Sequence, residues 1–136
     1  MKITLTKEDN YKIFTIGYQN ITRKNLKHEI EQLDAALVDI RYVPFSRNPF
    51  WTLPQLQETF QDRYYHIKDF GNVNYKGGPF KILNLEKGMK SFLSILNKYK
   101  AIFLLCSCKN FEKCHRSLIA EEIKTQLEIP CQEFDI

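Results

Sequence analysis

The stretch 101-AIFLLCSCKNFEKCHRSLIAEEI-123 decides the fold. Ala101 to Cys106 is the most hydrophobic run of strand length in the chain, and a continuous apolar run reads as a strand buried on both faces. Past the polar loop the spacing turns helical, with Ile119, Ala120, Ile123 and Leu127 sharing one face. A fully buried strand feeding an amphipathic helix is the unit from which parallel sheets are built.

Working outward, the same alternation repeats. Tyr11 to Ile16 reads as a first strand ending at Gly17-Tyr18. Thr22 can cap a following helix, Ile21 and Leu26 have the spacing of a hydrophobic staple, and Leu26, Ile30 and Leu33 continue its apolar face. Ala35 to Ile40 is a second buried strand. The segment 41-RYVPFSRNPFWTLP-54 carries three prolines and reads as loop. Leu53, Leu56 and Phe60 then mark a helix with Pro54 in its first turn, and Tyr64 to Ile67 a short strand. Asp69 to Pro79 holds three of the five glycines and reads as a surface loop. Met89, Phe92, Leu93 and Leu96 mark an amphipathic helix, and Cys131 to Ile136 can close the sheet. The expectation is one α/β domain over residues 1–136: a three-layer, mostly parallel open sheet of about five strands with helices on both faces.

Composition narrows the class. With 43% hydrophobic residues and seventeen Phe and Tyr, a packed core is expected rather than disorder. The opening MKITLTKEDNYK lacks the apolar region of a secretory signal, and no apolar run approaches the roughly 18 residues that span a bilayer. The expected setting is cytoplasmic and off the membrane, where the four cysteines stay free, catalytic or metal-bound. A net charge of +4 suits a phosphate-bearing small molecule or nucleic acid without singling either out.

In open α/β sheets ligands bind beyond the carboxyl ends of the strands, so the residues following each strand are the candidates. They are Gly17 and Tyr18; Arg41, Ser46 and Arg47, with Asp39 at the strand end; and Cys106, Ser107 and Cys108, with Cys114, His115 and Arg116 opening the last helix. Arg41, Arg47 and Arg116 could frame an anion pocket with that helix's N-terminus. The plainer reading pairs Arg41 with Asp39 and leaves Arg47 solvated. For the cysteines three readings stand. A thiolate near a helix N-terminus and arginines is a nucleophile, for which Cys106 and Cys114 both qualify. The phosphate-cradling Cys-x5-Arg template fails, since Glu112 and Cys114 occupy the positions where Cys106 and Cys108 would need an arginine. Zinc is the second reading, but Cys-x-Cys and adjacent Cys-His fit poorly with the usual C-x2-4-C pairs, so no metal ligand and no cofactor is assigned. Third, a buried cysteine is often just a small hydrophobe. His66 is a candidate acid or base beside a strand, or a structural histidine. Phe45, Phe50 and Trp51 beside Arg47 could stack on a base, although anchoring a loop to the core is the favoured role.

Four ordered segments, TIGYQN (15–20), VDIRYVPFSRNPFW (38–51), YYHIKDFGN (64–72) and LLCSCKNFEKCHRSLIAEEI (104–123), resemble the family called domain of unknown function 488. The resemblance marks Gly17, Asp39, Arg41, Pro44, Ser46, Arg47, His66, Gly71, Cys106, Cys114, His115 and Arg116, and it implies an α/β fold with a pocket but no reaction. Cys108 departs from it, standing where relatives often carry Glu, and Phe70 replaces the usual Leu. The functional expectation is an enzyme on a phosphate-bearing substrate, a nucleotide or nucleic acid component. Gly17, Tyr18, Asp39, Arg41, Ser46, Arg47 and Arg116 would bind it, and Cys106, Cys114, His115 and His66 would act on it. The alternatives are a non-catalytic nucleic-acid-binding module and a metal-binding regulatory protein.

Overall fold

Five strands lie parallel in one sheet: β1 (Lys12–Gly17), β2 (Ala36–Asp39), β3 (Tyr64–His66), β4 (Ala101–Cys106) and β5 (Cys131–Glu133), in the order β3-β2-β4-β1-β5. The computed structural model describes residues 11–107 and 114–134. Helices α1 (Arg23–Gln32), α2 (Leu53–Phe60), α3 (Leu85–Tyr99) and α4 (His115–Leu127) connect the strands in turn. The apolar 101–106 run is the central strand, and every one of its six residues is buried.

Local chemistry sets the boundaries. Thr22 accepts a hydrogen bond from the Asn25 N–H and opens α1, and Asn84 accepts from Lys87 N–H and opens α3. Helix α3 stops at Lys100, which takes a left-handed conformation (φ 61°) and returns its N–H to the Leu96 carbonyl.

The direction of each crossover decides which face its helix covers. The connections β1-α1-β2 and β2-α2-β3 travel toward the β3 edge, whereas β3-α3-β4 and β4-α4-β5 travel back. Crossovers of one hand must place helices on opposite faces when they run in opposite directions. Two cores result. Phe92, Leu96, Ile119 and Ile123 pack on Ile13, Val38, Ile102 and Leu104, while Leu26, Ile30, Leu56 and Phe60 pack on Ile16, Leu37, Phe103 and Leu105. Neighbouring residues of a strand alternate between the two, as the pleat demands. Each such side chain contributes about 1.5–3 kcal/mol through burial.

The register brings four strand ends level: Gly17 pairs with Cys106, and Asp39 with both Leu105 and His66. Strand β4 exits toward α4 while its neighbours β1 and β2 exit to the other face, which opens a crevice around Cys106. The expected sheet is therefore found, with all five strands parallel. The last strand is shorter than the expected 131–136 segment, and residues 135 and 136 lie outside the described residues.

The glycine-rich 69–79 segment is a surface loop, but a tied one. The buried Asn72 side chain accepts from the Asn74 and Lys81 N–H groups, and Val73 N–H donates to the Lys81 carbonyl. Its first glycine is set by a close approach: a β-carbon on Gly71 would sit 2.5 Å from the Tyr42 α-carbon and 2.7 Å from its nitrogen. Gly71→Ala should therefore destabilise the protein by about 2 kcal/mol in urea unfolding. A loss below about 0.5 kcal/mol would mean the two backbones do not meet this closely.

Candidate functional site

The site grows from three consecutive residues at the end of β2. Asp39 is fully buried, and its carboxylate accepts four hydrogen bonds: from Arg41 N–H (3.1 Å), Arg41 Nε (2.9 Å), Arg41 Nη2 (2.7 Å) and the Tyr64 hydroxyl (2.7 Å). A buried carboxylate is tolerated only when satisfied in this way. Burial opposes charge on Arg41, but its hydrogen bonds and ion pair with Asp39 prevail and raise its pKa above the ordinary arginine value. Burial pushes the Tyr64 phenol up as well, reinforced by the charge and hydrogen bond of Asp39, with Arg41 opposing.

The carbonyls of the same segment orient two histidines. His115 Nε2 lies 2.8 Å from the Ile40 carbonyl, and His66 Nε2 lies 2.7 Å from the Arg41 carbonyl. A carbonyl only accepts, so each Nε2 carries the proton. In the neutral ring His115 Nδ1 is then the lone-pair nitrogen. It faces Cys106 Sγ at 3.6 Å and Cys114 Sγ at 3.9 Å. The two sulfurs, which are not joined as a disulfide, stand 2.7 Å apart. All three side chains are buried, and these donor atoms fall within 4.8 Å of one another. Strand β4 delivers Cys106, and the start of α4 delivers Cys114 and His115.

Cys106, Ser107 and His115 form the floor of a cavity of about 530 Å³. Arg41, Tyr42, and Tyr75, Lys76 and Phe80 of the 69–79 loop and its continuation line it, with the Tyr42 and Tyr75 rings meeting at 5.9 Å between centroids. Four of the most exposed large apolar side chains, Val43, Phe45, Tyr75 and Phe80, ring the mouth. Nε and Nη2 of Arg41 are used on Asp39, while Nη1 reaches the Phe45 carbonyl only at 3.5 Å. At that distance the contact is weak.

The remaining expected site residues fall elsewhere. Arg116 is buried and bonded through Nη2 to Glu133 (2.9 Å), which also accepts from Thr15. Burial opposes its charge too, and Glu133 together with the Cys114 sulfur outweighs this to raise its pKa. Arg116 thus sits behind Cys114, on the side of β5. Arg47 is exposed and does not line the cavity, and Ser46 accepts from Asn48 N–H in a turn. The three arginines therefore do not converge on one pocket. His66 is spent on the Arg41 carbonyl and lies outside the cavity lining. Gly17 pairs with Cys106 across the sheet. Tyr18 stacks on Trp51 (centroids 5.0 Å apart) and lies under the Arg41 guanidinium at 5.6 Å. Phe50 and Trp51 are buried and anchor that loop to the core, whereas Phe45 stays exposed at the cavity. Cys108 lies outside the described residues.

The family model "Domain of unknown function DUF488" matches residues 20–123. The chain belongs to the DUF488 family. The matched span carries Asp39, Arg41, His66, Cys106, Cys114 and His115, the residues from which the site is built. No curated protein and no solved structure gave a significant match. Among the described residues of this DUF488 protein no helix is long and apolar enough to cross a membrane.

Sequence reasoning missed Tyr42, Tyr75, Lys76 and Phe80, although the strand-end rule applied to β3 points to the loop that carries the last three. Nothing in a sequence marks the Ile40 carbonyl, because backbone acceptors have no residue code.

Removing one partner of the buried pair leaves the other charge stranded. Asp39→Ala or Arg41→Ala should cost about 3–5 kcal/mol in denaturant unfolding, whereas Tyr64→Phe should cost about 1 kcal/mol. The raised Tyr64 pKa also fixes a pH dependence. Its stabilisation is fully present below the unfolded value of 10.0 and is lost as pH rises above it, because the unfolded chain ionises there first. Wild type should lose more stability between pH 9 and pH 11 than Tyr64→Phe does. Equal losses would remove Tyr64 from the buried network.

Proposed function

We propose that this DUF488 protein is an enzyme acting on a small, phosphate-bearing substrate with an aromatic ring, a nucleotide or nucleic acid component, held above the Cys106–Cys114–His115 cluster. One observation carries this reading: among the described residues, Cys106 and His115, which meet Cys114 at a strand end, also line a cavity with aromatic and cationic side chains. Ligand sites are typically concave and mostly apolar with a few convergent polar groups.

Each part has a physical role. The exposed Tyr75 and Phe80 offer ring surfaces for a planar group, with Tyr42 packed against Tyr75, and base stacking on an aromatic side chain is worth about 1–3 kcal/mol. Lys76 and the Nη1 edge of Arg41 offer cationic donors for a phosphate. At the floor, Cys106 presents its sulfur to the cavity, and the His115 Nδ1 lone pair can take or return a proton beside it. Arg116 and the N-terminus of α4 favour negative charge on Cys114 from behind. The anion-binding role expected of Arg47 and Arg116 passes to Lys76 in this reading.

Calorimetry with a nucleoside monophosphate, the matching nucleoside and inorganic phosphate tests the proposal. The monophosphate should bind most tightly. Tyr75→Ala and Lys76→Ala should each weaken it by about tenfold, without changing the melting temperature of the free protein, because both side chains are exposed. Absence of binding, or binding unaltered in both variants, would overturn it.

A further inference from the structure

We infer that Cys106, Cys114 and His115 bind one soft divalent cation of the zinc class, with the fourth coordination position open to the cavity. This deepens the preceding proposal by naming the reacting agent at the cavity floor, but it stands on the cluster alone.

The donor set comes first. Two sulfurs and an imidazole nitrogen suit a soft or borderline cation and disfavour magnesium or calcium, which take oxygen. Geometry comes second. A tetrahedral ion with metal–sulfur bonds of about 2.3 Å and a metal–nitrogen bond of about 2.0 Å requires sulfur–nitrogen separations of about 3.6 Å. The observed values are 3.6 Å and 3.9 Å. Tetrahedral binding also places the sulfurs about 3.7 Å apart, so Cys106 and Cys114 must open by about 1 Å from their 2.7 Å separation. Cys106 is the last residue of β4 and Cys114 the N-cap of α4, so both lie at element ends.

His115 is also oriented as a metal ligand would be. Metal-binding histidines generally donate the other ring N–H to a carbonyl or carboxylate, which fixes the tautomer and the ring direction. The Ile40 carbonyl does this for His115 and aims Nδ1 at both sulfurs. Charge also balances: two thiolates neutralise a divalent ion, and Arg116 beside Cys114 has its own counter-charge in Glu133.

Sequence spacing concealed this set. The short C-x2-4-C rule describes two ligands delivered by a single turn. Here one ligand ends a strand and two begin the next helix, with seven residues between the cysteines. Cys106 and His115 face the cavity while Cys114 is fully buried, so the open position points at bound substrate. A water held there would be more acidic than bulk water, the general effect of a bound zinc-class cation.

The test uses full-length protein stripped with a chelator under reducing conditions and then titrated with cobalt(II) or zinc(II). One equivalent of cobalt should give the intense visible bands and the sulfur-to-metal charge transfer of a tetrahedral thiolate site. Cys106→Ser, Cys114→Ser and His115→Ala should each lower affinity by about 100-fold or more, beyond the 10–100-fold typical of outer partners. Cys108→Ser should retain the metal, and its loss there would overturn the three-ligand assignment. Should a ligand variant fail to fold, alkylation of the wild type decides: zinc should protect Cys106 and Cys114. Cys131, a half-buried thiol pushed up to about 12 by desolvation, should react equally slowly with and without metal. No stoichiometric cobalt binding, a faint six-coordinate spectrum, or alkylation unaffected by zinc would overturn the inference. None of these readouts involves a nucleotide. Metal binding without nucleotide binding therefore overturns only the preceding proposal, and the reverse overturns only this one.

Discussion

A single buried carboxylate organises this molecule. Asp39 ends β2 with no exposure to water, and an ion in that position is stable only while its oxygens stay hydrogen-bonded. Arg41 and Tyr64 supply the donors, and in doing so they fix the chain direction from Asp39 through Tyr42. Everything at the carboxyl edge leans on that segment. The Asp39 carbonyl receives Ile67 N–H, Ile40 receives His115, Arg41 receives His66, and Tyr42 lies against Gly71. Ile40 N–H in turn bonds the Leu105 carbonyl and fastens the segment to the central strand. The ion pair is thus less a source of net stability, which buried pairs seldom are, than a device that selects one backbone path.

From that path follows the reactive cluster. Topology places the end of β4 between two strands that exit to the opposite face, so space is left above Cys106. Helix α4 begins beside that space and brings Cys114 and His115. The imidazole could turn several ways in such a crevice, and the Ile40 carbonyl chooses one. Chemistry at this edge therefore depends on a main-chain oxygen whose position is set by a carboxylate one residue earlier. The loop after β3, tied by Asn72 and by the Gly71–Tyr42 contact, closes the other side and supplies the aromatic rim.

Much of this was legible in the sequence, for physical reasons. Continuous apolar runs at 35–40 and 101–106 have no other stable home than the interior of a parallel sheet, and the cap at Thr22 and the glycine-rich 69–79 loop mark boundaries that backbone chemistry enforces. Cys106, Cys114 and His115 were visible as a cluster because the strand-end rule gathers such residues. Two things were not visible. The role of Arg116 depends on a partner 17 residues on, so it could not be assigned to Glu133 from charge alone. The plainer reading of Arg41, an ion pair with Asp39, is the one the structure adopts. The metal-ligand pattern was hidden because spacing rules presume one turn, whereas here two elements cooperate.

The orientation of His115 joins the Asp39 frame to the cluster, and its tautomer can be read directly. Long-range 1H–15N NMR spectra of reduced, metal-free protein, with His115 assigned by substitution, report which ring nitrogen carries the proton. The Nε2–H form is expected at neutral pH, with the Nδ1 signal alone moving when zinc is added. A His115 found in the Nδ1–H form, or one whose Nε2 responds to zinc instead, would contradict that expectation.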